Sequence, residues 1–220
     1  MKNSALKFIS ITALIGVASL ASSAVNAEES ENKMYITGAV GRNFPMERDN
    51  KGAEFDYDER TDPGMSGEVG IGYDFGALRI EATYSLDYSK LDDYYKSSTK
   101  TTYRYLSGGD SKKQSIFLSG YWDILRNSRW TPYVGGGIGY STLNVQRVSD
   151  YSATYNSYDP TVFAYQLKAG VSCAATSDVT IFLEGVFRST DRFDTNDGYY
   201  EWDNESWRSF GGQLGVRISL

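Results

Sequence analysis

The sequence predicts an all-β protein, an eight-stranded antiparallel up-and-down transmembrane β-barrel with long extracellular loops and short periplasmic turns. Three observations predict it. The chain opens with a secretion-type segment, it continues with about eight strand-length stretches of period-two alternation, and the connections between those stretches alternate between long and short.

At the N-terminus Lys2 and Lys7 precede an apolar run from Phe8 to about Leu20, and small residues then lead to Val25-Asn26-Ala27. This is the pattern of a secretory signal peptide, expected to be cleaved after Ala27. The run is shorter than the roughly 18 residues a spanning helix needs. Residues 1–27 are therefore read as the signal and residues 28–220 as one barrel domain, since no linker or low-complexity tract divides them. Cleavage removes two lysines and no acid, taking the net charge from −6 to −8 and arguing against a nucleic-acid partner. Cys173 is the only cysteine, so an intramolecular disulfide is ruled out even in an oxidising compartment.

The alternating stretches are Met34–Arg42, Met65–Asp74, Ala77–Leu86, Gln114–Trp122, Pro132–Val145, Val162–Cys173, Val179–Arg188 and Ser209–Leu220. Each approaches the roughly 10 residues that a tilted strand needs to cross a bilayer. Their connections are long at Asn43–Gly64, short at Phe75–Gly76, long at Asp87–Lys113 and short at Asp123–Trp130. They are long again at Gln146–Thr161, short at Ala174–Asp178 and long at Ser189–Arg208. Every second hairpin thus projects to the same side, as in an outer-membrane barrel of a Gram-negative bacterium.

Leu78, Ile80, Ala82, Tyr84 and Leu86 share one face of their stretch, and Arg79, Glu81, Thr83 and Ser85 share the other. In lipid the apolar face must point outward and the charges inward. Along the apolar faces, Tyr84, Tyr140, Tyr165, Phe187 and Phe210 fall beside long loops, whereas Tyr73 and Trp122 fall beside short turns. Two interfacial aromatic girdles are expected from this placement.

The stretch "TPYVGGGIGYS", Thr131 to Ser141, spends four glycines where a strand should pack side chains. Its register puts Tyr133, Gly135, Gly137 and Gly139 in the lumen, where an eight-stranded barrel has room only for side chains to fill it. The glycines are expected to make space for neighbours, with Gly136 on the lipid side permitting curvature. The same register names those neighbours as Glu68, Arg79, Glu81, Lys168, Glu184, Arg188 and Arg217, with Gln166 and Gln213. Near-balance of charge in a confined lumen predicts a cross-linked plug, with Arg79 beside Glu81 and Glu184 beside Arg188 on their own strands.

The segments "GYDFGALRIEATYS", "TPYVGGGIGYS", "FAYQLKAGVS" and "SFGGQLGVRISL" closely resemble strands of the surface-antigen family of rickettsial-type bacteria, a branch of the outer-membrane β-barrel superfamily that includes opacity proteins. The resemblance covers most of the mature chain and leaves the long loops unmatched. It implies an eight-stranded barrel with variable exposed loops, a role in surface recognition and, in some members, porin activity. Such proteins usually end in phenylalanine, a signal for the barrel assembly machinery; here the chain ends in Leu220 after Leu214, Val216 and Ile218.

Enzymatic activity is not expected. The chain has no histidine to serve as a neutral-pH general base, and basic lumen partners would hold Glu68, Glu81 and Glu184 ionised. No cofactor or metal is expected either. "DTNDG", Asp194 to Gly198, is one residue short of a calcium-loop spacing, and "EFDYDERTD", Glu54 to Asp62, reads as a solvated acidic loop. Cys173, in register with Leu167 and Val171, reads as an apolar lipid-facing position. "DYYKSSTKTTYRY" and "DYSATYNSYD" interleave tyrosine with small polar residues, either as adaptable contact surface or as β-extensions of the hairpins. The expected partners are outer-membrane lipids, the assembly machinery and an extracellular protein or glycan bound by a monomer. The competing reading is a narrow porin-like channel for small solutes.

Overall fold

The computed structural model describes residues 33–46, 48–52, 56–96, 101–125, 129–146, 157–158, 161–196, 201–204 and 206–220. The signal segment 1–27 lies outside them. The described strands are β1 (Lys33–Pro45), β2 (Arg48–Gly52), β3 (Asp56–Thr61), β4 (Gly64–Asp74), β5 (Leu78–Lys96), β6 (Thr101–Asp123), β7 (Trp130–Gln146), β8 (Ser157–Tyr158), β9 (Thr161–Ala174), β10 (Val179–Thr190), β11 (Phe193–Asn196), β12 (Glu201–Asn204) and β13 (Arg208–Ser219).

Eight of them close into an antiparallel barrel in the cyclic order β1-β4-β5-β6-β7-β9-β10-β13, β13 returning to β1 from Tyr35↔Ser219 to Pro45↔Ser209. Closure pairs the backbone all the way round the wall, which is what lets a sheet stand in lipid. Each predicted stretch falls on one of these strands, with Ala77 just before β5 and Leu220 just after β13. Side chains alternate strictly, so Ile80, Ile116, Leu118, Ile138, Leu183 and Leu214 face outward while Glu81, Phe117, Tyr133 and Glu184 are buried inside.

The β4–β5 and β9–β10 connections turn tightly at the rim that also holds both ends of the barrel. In the β4–β5 turn Gly76 has φ 99° and its N–H donates to Asp74 Oδ1 at 2.6 Å, a left-handed backbone that favours glycine. In the β9–β10 turn the Val179 N–H donates to Thr176 Oγ1 at 3.0 Å.

The interior glycines answer to aromatic rings directly opposite them. Tyr35 pairs with Gly72, Tyr121 with Gly135, Tyr133 with Gly170 and Phe182 with Gly215. A Cβ on Gly72, Gly135 or Gly215 would overlap the facing ring, one on Gly170 would meet the Leu183 carbonyl oxygen, Glu184 Cβ and the Tyr133 hydroxyl, and one on Gly137 would overlap Ser119 Oγ. Gly136, on the lipid face, meets only ordinary contacts, 3.5 Å to Leu167. The glycine-rich β7 is thus one half of an aromatic–glycine packing that fills a narrow lumen.

The long connections carry further strands, which matches the β-extension reading of "DYYKSSTKTTYRY" at its described residues. β5 and β6 run for 19 and 23 residues and stay paired out to Lys96↔Thr101, so the hairpin continues from Asp87 and Lys113 past the barrel rim. Asn43–Gly64 contains the β2–β3 hairpin and Ser189–Arg208 the β11–β12 hairpin. These hairpins join edge to edge, β12 on β2 and β3 on β5, giving the continuous order β11-β12-β2-β3-β5 above the barrel. Register shifts at Leu91/Asp93 in β5 and Arg60/Thr61 in β3 mark where this sheet departs from the barrel wall. Tyrosine and threonine favour extended backbone, and pairing satisfies peptide groups that have left the barrel's own ladder.

Candidate functional site

All seven lumen charges named from the sequence are buried and inward: Arg79 at 2% exposure, Glu81, Lys168, Glu184 and Arg188 at 4%, Glu68 at 6% and Arg217 at 9%. Their pairing is not the one expected along single strands. Arg79 does not pair with its strand neighbour Glu81; Nε and Nη2 grip the Asp123 carboxylate at 3.0 and 2.9 Å. Side chains two apart on a strand project in parallel, so a partner on the next strand or across the lumen is better placed.

Three groups that sequence reasoning left in connections belong to the lumen. Asp87 and Lys113 are both 3% exposed, and Asp123 closes on Arg79. The period-two pattern Arg79, Glu81, Thr83, Ser85, Asp87, Ser89 was the available signal. With them, the described residues place five acids in the interior, Glu68, Glu81, Asp87, Asp123 and Glu184, against five bases, Arg79, Lys113, Lys168, Arg188 and Arg217.

The upper and middle lumen is tied by one unbroken chain of ion pairs. Lys113 meets Asp87 at 3.2 Å, Asp87 meets Arg188 at 3.2 Å, and Arg188 meets Glu68 at 2.6 Å. Glu68 pairs with Lys168, which also meets Glu184 at 3.1 Å. Neutral groups complete the shell: Arg188 Nε donates to Gln166 Oε1 at 3.2 Å, Gln213 Nε2 to Ser66 Oγ at 2.8 Å, and Tyr133 Oη to Glu184 at 2.8 Å.

The periplasmic end is closed by aromatic rings and two guanidinium groups. Arg79 lies over the rings of Tyr121 at 4.8 Å and Tyr133 at 5.0 Å, and Arg217 over Phe182 at 4.6 Å and Tyr133 at 5.0 Å. Glu81 is held by hydroxyls, Tyr35 donating at 3.0 Å and Tyr121 at 3.2 Å. Sequence reasoning did not single out Tyr35 or Tyr121, because tyrosines read first as girdle residues. The ion-paired charges are compensated for their removal from water, whereas Glu81 and Arg217 form no ion pair among the described residues and rest on hydroxyls and rings.

On the outside, Tyr84, Trp122, Tyr140, Tyr165 and Phe210 are exposed, and Tyr73 and Phe187 half-buried. Phe187 packs on Phe210 at 5.0 Å and on Tyr165 at 6.2 Å, while Tyr140 meets Phe163 edge-on at 6.1 Å. Tyr73 packs on Phe75 at 4.6 Å beside the short β4–β5 turn. Cys173 is half-buried on β9. Asp194–Asn196 lie in β11, and Asp197 and Gly198 lie outside the described residues.

A closed eight-stranded barrel with a lipid-compatible exterior and an ion-paired interior defines an outer-membrane barrel protein. A family model described as "Outer membrane protein beta-barrel domain" matches residues 10–216. The chain belongs to that family, and its place is the outer membrane of a Gram-negative bacterium. It is similar to opacity protein opA66 of Neisseria gonorrhoeae, 27% identical over 115 residues, a match covering 43% of this chain and 48% of that protein. The chain spans about half the length of this curated relative. Neisserial surface protein A matches its fold with a TM-score of 0.54 at 18% identity, over 87% of this chain and all (100%) of that one. OprG from Pseudomonas aeruginosa does so with a TM-score of 0.56 at 14% identity, over 88% and 99%.

Proposed function

We infer that the protein is a monomeric, non-catalytic surface-recognition protein of the adhesin type, in which the barrel is a sealed anchor for an extracellular sheet. One observation carries this reading: the β2–β3 and β11–β12 hairpins join the long β5–β6 hairpin in a single hydrogen-bonded sheet. Loops that only covered a pore would gain nothing from a shared register. A paired sheet presents a preformed surface, and rigid presentation lowers the ordering cost of binding. The β5–β6 hairpin sequence "DYYKSSTKTTYRY", which interleaves tyrosine with serine and threonine, suits adaptable contacts to a protein or glycan. The surface-antigen likeness and the similarity to an opacity protein support the same reading, and residues 1–27 serve as the export signal.

The test is adherence to an epithelial monolayer by non-adherent bacteria displaying the protein. The wild-type barrel is compared with one in which residues 48–60 and 193–204 are each replaced by a short Gly-Asn-Gly turn. Adherence that disappears with the hairpins, while the truncated barrel keeps its heat-modifiable gel shift, supports recognition. Equal adherence by both, or none by either, contradicts it.

A further inference from the structure

The outward face of the extracellular rim carries cations that the lumen network does not use. Arg42 and Lys90 are exposed, Lys112 is half-buried, and none of the three forms an ion pair among the described residues. Arg42 stands on β1 between Val40 and Phe44, which are 48% and 50% exposed on the lipid face. Phe44 heads the cross-strand aromatic row Phe44–Phe210–Phe187, so Arg42 lies one lipid-facing position deeper than that girdle row.

The strand register aligns these cations. Arg42 is opposite Met65, Met65 opposite Tyr88 and Tyr88 opposite Lys112, so one row crosses β1, β4, β5 and β6. Three strand spacings put the backbones of Arg42 and Lys112 roughly 14 Å apart. Lys90, two residues beyond Tyr88, shares its face. A guanidinium among lipid-facing apolar residues is costly unless it reaches an anion at the interface. Met65, 66% exposed, and Tyr88, 41% exposed, supply apolar surface between the cations.

We propose that Arg42, Lys90 and Lys112 form a binding site for the phosphates of an outer-leaflet lipid, its acyl chains lying along Val40 and Met65. The site depends only on the barrel and its orientation, whether or not the extracellular sheet is an adhesin. Arg42 on one side of an apolar strip, with Lys90 and Lys112 on the other, matches an amphiphile carrying phosphate above acyl chains better than it matches a free ion. Basic clusters at a membrane boundary bind anionic headgroups by the same electrostatics.

The test is native mass spectrometry of the full barrel in neutral detergent, titrated with bis-phosphorylated lipid A and with the same lipid stripped of both phosphates. The wild type is expected to prefer the phosphorylated lipid. Arg42→Ala with Lys112→Ala should weaken that binding by about tenfold and leave the dephosphorylated lipid unaffected. Lys33→Ala, an exposed cation at the opposite rim, should change nothing. The proposal is overturned if the wild type does not distinguish the two lipids, or if Lys33→Ala causes the same loss. It is also overturned if excess inorganic phosphate displaces the lipid fully, which would mark a soluble-anion site. The altered positions face outward, and the heat-modifiable gel shift verifies that each variant is folded.

Discussion

Arg188 on β10 and Glu68 on β4 meet across the lumen, Nη2 to Oε2 at 2.6 Å, although 120 residues separate them in the chain and two strands, β1 and β13, stand between theirs in the barrel wall. Arg188 also holds Asp87, and Glu68 also holds Lys168. Truncating either partner leaves a buried charge without its counterion. Arg188→Ala is expected to destabilise the barrel by about 3–5 kcal/mol, and Arg188→Lys by less. Urea unfolding in lipid vesicles measures it, and a loss below about 1 kcal/mol would mean that water already screens the pair.

The two faces of β5 should respond oppositely. Ile80 is 48% exposed towards lipid and Thr83 is 3% exposed in the lumen. With Ile80 in the lipid band, Ile80→Arg is expected to cost about 2–4 kcal/mol, whereas Thr83→Ser should stay near wild type. Small, equal effects at both positions would contradict the register.

Gly135 and Gly136 are adjacent in sequence and differ in what they face. Gly135→Val drives a side chain into the Tyr121 ring and is expected to destabilise by about 1–3 kcal/mol, while Gly136→Ala, on the lipid face, should be tolerated. Comparing their unfolding midpoints checks the aromatic–glycine packing, and equal tolerance would remove it.

Much of this architecture is legible in the sequence because period two survives translation into structure. Lys168 and Glu184 lie two and four steps from Gln166 and Arg188 on their own faces, so burial follows from counting. Pairing does not follow from counting. Shear sets which residues meet across the lumen, and that offset is fixed by the ring of eight registers together; Arg79 takes Asp123 instead of Glu81 because Asp123 stands diagonal to it on the adjacent β6, one inward position beyond its direct partner Tyr121. Asp87 and Lys113 were hidden by an assumption about strand length, since β5 and β6 run past the barrel rim. The hairpin sheet was hidden for a related reason, because edge pairing between β12 and β2 leaves no local mark in either segment.

Sidedness has its own test. On intact cells a broad-specificity protease should cut the hairpins at 87–113 and 189–208 and spare the turns at Phe75–Gly76 and Ala174–Asp178. Cleavage at those turns with the outer membrane intact would reverse the orientation.

Single-channel conductance of the purified monomer in planar bilayers tests most directly whether the lumen is a sealed anchor. The ion-pair chain from Lys113 to Glu184 and the arginine–aromatic layer beneath it predict conductance near the detection floor for the wild type, rising in Arg188→Ala as the chain is broken. Steady monomer conductance in the wild type, with Arg188→Ala changing ion selectivity and leaving stability untouched, would contradict the account and make the protein a channel.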